Sequence, residues 1–115
     1  MIIAVEGTQR FDDYETFMRA MSVALSQPSE DSTIEVWSAG PHKVNGFAAA
    51  FCNSSENYLR NRGYRISHKK LPVSYIKQHV KDLTYVAFFS RRGEPMSSLA
   101  VLADLDGIEV GVYRT

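Results

Sequence analysis

Short apolar runs alternate along this chain with longer stretches in which apolar residues recur at helical spacing. Ile2–Val5 is a compact β-branched run that closes at Glu6-Gly7, as a buried central strand does. Asp12 or Asp13 is placed to cap a helix whose apolar stripe is Tyr14, Phe17, Met18, Met21 and Leu25. Gln27–Ser32 reads as a loop around Pro28. Thr33–Ser38, with Ile34, Val36 and Trp37, predicts a second strand. Ala39–Gly46 reads as a turn, and Phe47–Arg62 as a helix ended by Arg60, Arg62 and Gly63. Tyr64–His68 is a shorter, more polar strand suited to a sheet edge. Leu71–Tyr75 connects to a short helix over Ser74–Val80. Leu83–Phe89 is the strongest strand signal of all, and Ser90–Glu94 a basic loop. Pro95 is placed to start a last helix over Met96–Leu105. Asp106-Gly107 then turns into a final strand over Ile108–Tyr113.

Strand and helix alternate without a hairpin signal. Parallel strands need crossover connections, so this order predicts an α/β fold with a five-stranded, mostly parallel sheet covered on both faces: a Rossmann-like three-layer α/β/α domain spanning residues 1–115.

Composition narrows the function classes. The chain has 115 residues, enough for one core, with 44% hydrophobic and 23% charged residues. Thirteen Lys plus Arg balance thirteen Asp plus Glu, which argues against a dedicated duplex-DNA binder. Cys52 is the single cysteine, so no internal disulfide forms, and a reducing, cytoplasmic setting is expected. His42, His68 and His79 are scattered, so no metal cluster is expected. No run approaches the roughly 18 apolar residues of a membrane span, so no membrane partner is expected.

In open parallel sheets, ligands bind beyond the carboxyl ends of the strands, where strand order reverses. Three loops should meet there. The first carries Gly7, Thr8, Gln9 and Arg10, leading to a helix start whose unpaired N–H groups suit an anion. The second carries Ser38, Gly40, His42, Lys43 and Asn45. The third carries Ser90, Arg91, Arg92, Ser97 and Ser98, again ahead of a helix. Each loop alone reads equally as an ordinary strand-to-helix turn, and Asn45 as a simple helix cap. Neither a GxGxxG nor a Walker A pattern is present. The case rests on all three falling at one sheet edge.

Elsewhere the bland reading prevails. Trp37 is expected in the core rather than under a ligand. Phe88 and Phe89 face opposite sides of the sheet by alternation. Tyr14, Tyr58 and Tyr75 could stack on a base, but pack on helix faces by default. The basic stretch Arg60, Arg62, Arg65, His68, Lys69, Lys70 reads as a solvated helix end and edge strand. Cys52 is expected to be buried and inert.

The opening Ile3-Ala4-Val5-Glu6-Gly7-Thr8-Gln9-Arg10-Phe11-Asp12-Asp13-Tyr14 resembles the V-x-G-S-R-x-F-x-D-Y start of the SLOG superfamily, the Rossmann-like group containing the LOG cytokinin-activating hydrolases and the DNA-processing protein DprA. Thr8 stands at the usual Ser and Gln9 at the usual Arg. Ser38-Ala39-Gly40-Pro41-His42-Lys43-Val44-Asn45 is similar to the family's S-G-G-A-x-G-A-D turn, matching at Ser38 and Gly40, with Asn45 in place of an acid. Tyr58–Gly63 resembles a Y-A-x-x-R-G helix end, and Asp106-Gly107-Ile108-Glu109-Val110 resembles A-G-I-P-V. The hydrolases' P-G-G-x-G-T-x-x-E signature is absent, and Pro95-Met96 stands about where the family carries Gly-Thr. The resemblance implies strand order 3-2-1-4-5, a nucleotide-derived ligand and frequent homo-oligomers, dimers above all.

The leading expectation is therefore a domain that senses or sequesters a nucleotide or nucleotide-derived ligand, with no catalytic signature and no cofactor; a phage protein would fit. A second is cleavage of a nucleoside-phosphate bond, with Glu6 or Glu94 as acid or base and His42 assisting. A third is a small regulator that binds a host protein or single-stranded nucleic acid.

Overall fold

The computed structural model describes residues 1–26, 32–40 and 42–115, with the side chain of His42 outside that description. The predicted loop over Gln27–Ser32 falls outside it except for Ser32, as does Pro41 of the predicted turn. The described residues form β1 (Ile2–Gly7), α1 (Tyr14–Leu25), β2 (Thr33–Ala39), α2 (His42–Arg60), β3 (Arg65–Lys70), α3 (Val73–Gln78), a 3₁₀ turn (Val80–Asp82), β4 (Tyr85–Ser90), α4 (Ser98–Leu105) and β5 (Glu109–Arg114).

The strands form one sheet in the order β3-β2-β1-β4-β5, as expected. All four pairings are parallel, so the sheet is wholly rather than mostly so. Burial explains the order. β1 and β4 are the most apolar strands and lie in the interior of the sheet, with every residue of β4 buried. The polar β3 takes one edge, as its composition required.

Alternation divides the core in two. Ile3, Val5, Val36, Ala87 and Phe89 face α1 and α2, against Phe17, Met21, Val44, Ala48 and Phe51. Ala4, Trp37, Ala39 and Val86 face the other way, against Ile76 of α3, Leu99 and Ala103 of α4, and Val80. Trp37 is buried there, 5.8 Å from Tyr75 between ring centres. Tyr14 packs between Phe17 and Phe47, whereas Tyr58 and Tyr75 are exposed. Cys52 is buried, and burial pushes its thiol up to about 11.

Most element bounds shift by one or two residues, and two helix starts and one helix face differ more from expectation. α2 starts at His42 rather than Phe47, taking Gly46 into its interior. Tertiary packing of Val44 against the end of β1 outweighs the roughly 1 kcal/mol that a mid-helix glycine costs. α4 starts at Ser98 rather than Met96. Ser97 caps it, accepting the Ala100 N–H at 3.1 Å, and this hydroxyl cap sets the start in place of Pro95. On α1, capped by Asp13, the buried face is Phe17, Ala20, Met21 and Ala24, and Met18 turns outward. At about 100° per residue, Met18 lies one step round from the face that Phe17 centres.

Candidate functional site

Because every strand runs the same way, Gly7, Ala39 and Ser90 end β1, β2 and β4 at one edge of the sheet. There β1 pairs with both β2 and β4. The connections out of β1 and β2 lead to helices on one face, and that out of β4 to a helix on the other. The edge between β1 and β4 is therefore the point where strand order reverses.

The three loops are joined there. Thr8 donates its backbone N–H to the Phe89 carbonyl at 2.9 Å and its hydroxyl to Glu94 Oε1 at 2.8 Å. The same Glu94 oxygen accepts the Arg91 N–H at 2.6 Å. These bonds, first that from the Arg91 backbone and then that from Thr8, hold the Glu94 carboxyl below the usual range, so it is an ionised brace. The loop after β2 abuts the end of β1: a Cβ on Gly40 would lie 3.3 Å from the Gly7 carbonyl oxygen, and its φ of 95° is one that glycine adopts freely. Gly7 has a different constraint. A Cβ there would overlap the Val44 side chain, so glycine lets the first turn of α2 settle on the end of β1.

Beneath the loops lies an aromatic cluster. Phe11, on the loop after β1, is wholly buried, with its ring 5.0 Å from Phe89 of β4 and 6.2 Å from Phe47 of α2. Phe17 lies 5.1 Å from Phe89 and 5.8 Å from Phe47. One hydrophobic contact set thus anchors all three connections.

The expected site residues fall into two groups. Gly7, Ser38, Asn45 and Ser90 are buried and shape the loops from within. Ser38 donates to Asn45 Oδ1 at 2.7 Å, and Asn45 Nδ2 donates to the Gly40 carbonyl at 3.0 Å. With its proton spent on Asn45, the Ser38 oxygen accepts from His68 Nε2, also at 2.7 Å. Burial lowers the His68 pKa and keeps that ring neutral near pH 7. Ser90 Oγ accepts from Arg114 at 3.0 Å. The second group is Gln9, Arg10, Gly40, Lys43, Arg91, Arg92 and Ser98, exposed on the rim, with Thr8 and Ser97 half-buried between the groups. His42 opens α2, and only its backbone is described.

The rim carries both signs of charge. Lys43 pairs with Asp12 at 3.0 Å, both more than half exposed, a pair worth about 0–1 kcal/mol. Arg91 lines an open hollow of about 440 Å³ with Asp12, Asp13, Tyr14 and Thr115. A larger cavity, about 570 Å³, lies at the opposite end of the sheet among Leu25, Ile34, Phe51 and Leu59. Among the described residues no cluster of His, Cys, Asp or Glu could hold a metal ion, and no helix is long and apolar enough to cross a membrane.

Glu6 is the most unusual residue of this edge. It occupies the penultimate position of β1, alternates onto the α3 and α4 face, and is only 8% exposed. Burial raises its pKa, and the Ser97 hydroxyl and the Lys77 charge offset part of that rise. Its Oε1 has no hydrogen-bond partner. The signal in the sequence was an acid closing an apolar strand. Arg114 was missed altogether. Its clue lies in the register, which sets it opposite Ser90, and the same guanidinium also donates to the Glu94 carbonyl. No protein-family model, curated protein or solved structure matches this chain.

Proposed function

We propose that this chain is a SLOG-like domain that binds a nucleotide or nucleotide-derived ligand at the carboxyl edge of its sheet, for sensing or sequestration. The observation that carries this reading is the joining of the loops after β1, β2 and β4 into one surface through Thr8, Glu94, Gly7 and Gly40. Two further features support it. α2 begins at this edge, and a helix start offers N–H donors and partial positive charge to a phosphate. Arg10, on the loop after β1, and Arg91 and Arg92, on the loop after β4, stand exposed, and a guanidinium meets a phosphate through paired hydrogen bonds. The strand order is also the one that the SLOG resemblance implies.

A panel of nucleoside monophosphates, added in excess, is expected to raise the melting temperature by a few degrees, because a ligand bound only by the folded form stabilises it. Joint substitution Arg91→Ala and Arg92→Ala should weaken that binding about tenfold or more, from the loss of charge-assisted hydrogen bonds of roughly 1.5–3 kcal/mol. A double variant that binds as the wild type does would remove the basic loop from the site.

A further inference from the structure

The binding reading above leaves one group at this edge unexplained. Glu6 is more than nine-tenths buried, yet its Oε1 has no partner. A buried acceptor left unpaired costs about 1–3 kcal/mol, and more if charged, so such groups are rare without a role. Two neighbouring elements border Glu6. Gly40, on the loop after β2, would place a Cβ 3.7 Å from Glu6 Cγ. Ser97, the cap of α4, lies close enough to the Glu6 carboxyl to offset part of the rise in its pKa, while the Ser97 oxygen accepts the Ala100 N–H. The amino end of α4 is thus already capped by Ser97, with the Glu6 carboxyl beside it, so a ligand phosphate is better placed at the start of α2. Arg10, Arg91 and Arg92 are the exposed cations of the neighbouring loops. The edge therefore has a polarity: cations and the start of α2 for an anionic end, and an acceptor for an uncharged donor end.

We propose that Glu6 is the residue that reads the ligand, accepting a hydrogen bond from an O–H or N–H of the nucleoside while the phosphate lies toward the arginines. The inference rests on the nucleotide reading and adds the chemistry by which the site selects. The donor can come from a sugar hydroxyl or from a base amine, and the two are separable. A site built to pair with a donor rejects the analogue that lacks it, because its own acceptor is then stranded.

The test is titration calorimetry with adenosine monophosphate, its 2′-deoxy analogue and inosine monophosphate. These are titrated into wild type, Glu6→Met, which removes both oxygens at similar volume, and Glu6→Gln, which keeps one acceptor without charge. Wild type is expected to bind adenosine monophosphate at least tenfold more tightly than one analogue. Weak deoxy binding assigns the donor to the sugar, and weak inosine binding assigns it to the base. Glu6→Met should bind adenosine monophosphate no better than wild type binds that analogue. Glu6→Gln should lose affinity for adenosine monophosphate but not for the analogue, which keeps the test valid should Glu6→Met fail to fold. Equal wild-type affinity for all three ligands, or Glu6 variants with unchanged affinity, overturns the role of Glu6 and leaves nucleotide binding standing. No binding of any of the three by wild type overturns the nucleotide reading and the role of Glu6 with it.

Discussion

Phe89→Ala is expected to lower stability by about 3–5 kcal/mol, the usual cost of deleting a buried phenylalanine, and to lower the melting temperature by roughly 10–20 °C. Phe89 ends the central run of β4 and is wholly buried. Its ring meets Phe11, Phe17 and Tyr113 at centroid distances of 5.0, 5.1 and 5.3 Å. These neighbours come from the loop after β1, from α1 and from β5, so the cavity cannot close without shifting an element that borders the site. The loss should therefore fall on ligand binding as well as on folding. Chemical denaturation measures the first and calorimetry the second. A variant within 1 kcal/mol of wild type would mean that the cluster does not anchor the loops.

Gly7→Ala is the second. The backbone at Gly7 is not in the left-handed region, so alanine meets no conformational penalty there, and the unfolded state even favours the substitution by about 0.4–1 kcal/mol. The obstacle is the side chain of Val44, which the new methyl would overlap. Overpacking of this kind costs about 1–3 kcal/mol, and Val44 is buried and branched, with little freedom to yield. In a Val44→Ala background the same substitution should be nearly neutral, giving a coupling energy of about 1–3 kcal/mol in a double-mutant cycle. Additive effects would place the first turn of α2 elsewhere than on the end of β1.

The fold was readable because its strongest signals agreed. Ile2–Val5 and Leu83–Phe89 could only be buried strands, and the absence of hairpin turns left parallel pairing as the consistent arrangement. Helix starts were less legible. Pro95 announced the last helix, whereas Ser97, read as a ligand-loop residue, proves to be its cap through the bond from the Ala100 N–H. Gly46 mimics a break that the packing of Val44 removes.

The candidate site was legible in its location and less so in its roles. Loop residues rich in hydrogen-bonding groups look alike in sequence whether they face a ligand or one another. Asn45 and Ser90 prove to be spent on Gly40, Ser38 and Arg114. Arg114 and His68 act on these loops from the neighbouring strands, through a register that no local pattern reveals. Glu6 and Glu94 stood out in the sequence only as alternative acid or base for cleaving a nucleoside-phosphate bond. Burial separates them into an acceptor without a partner and an ionised brace.

The central claim is that the loops after β1, β2 and β4 form one ligand surface. It is tested most directly by two-dimensional NMR of the labelled protein titrated with adenosine monophosphate. Shifts concentrated at residues 6–12, 38–45 and 90–98, moving together with one binding constant, are the expected result. Shifts confined to the cavity around Leu25, Phe51 and Leu59 at the far end of the sheet, or no shifts at all, would contradict it.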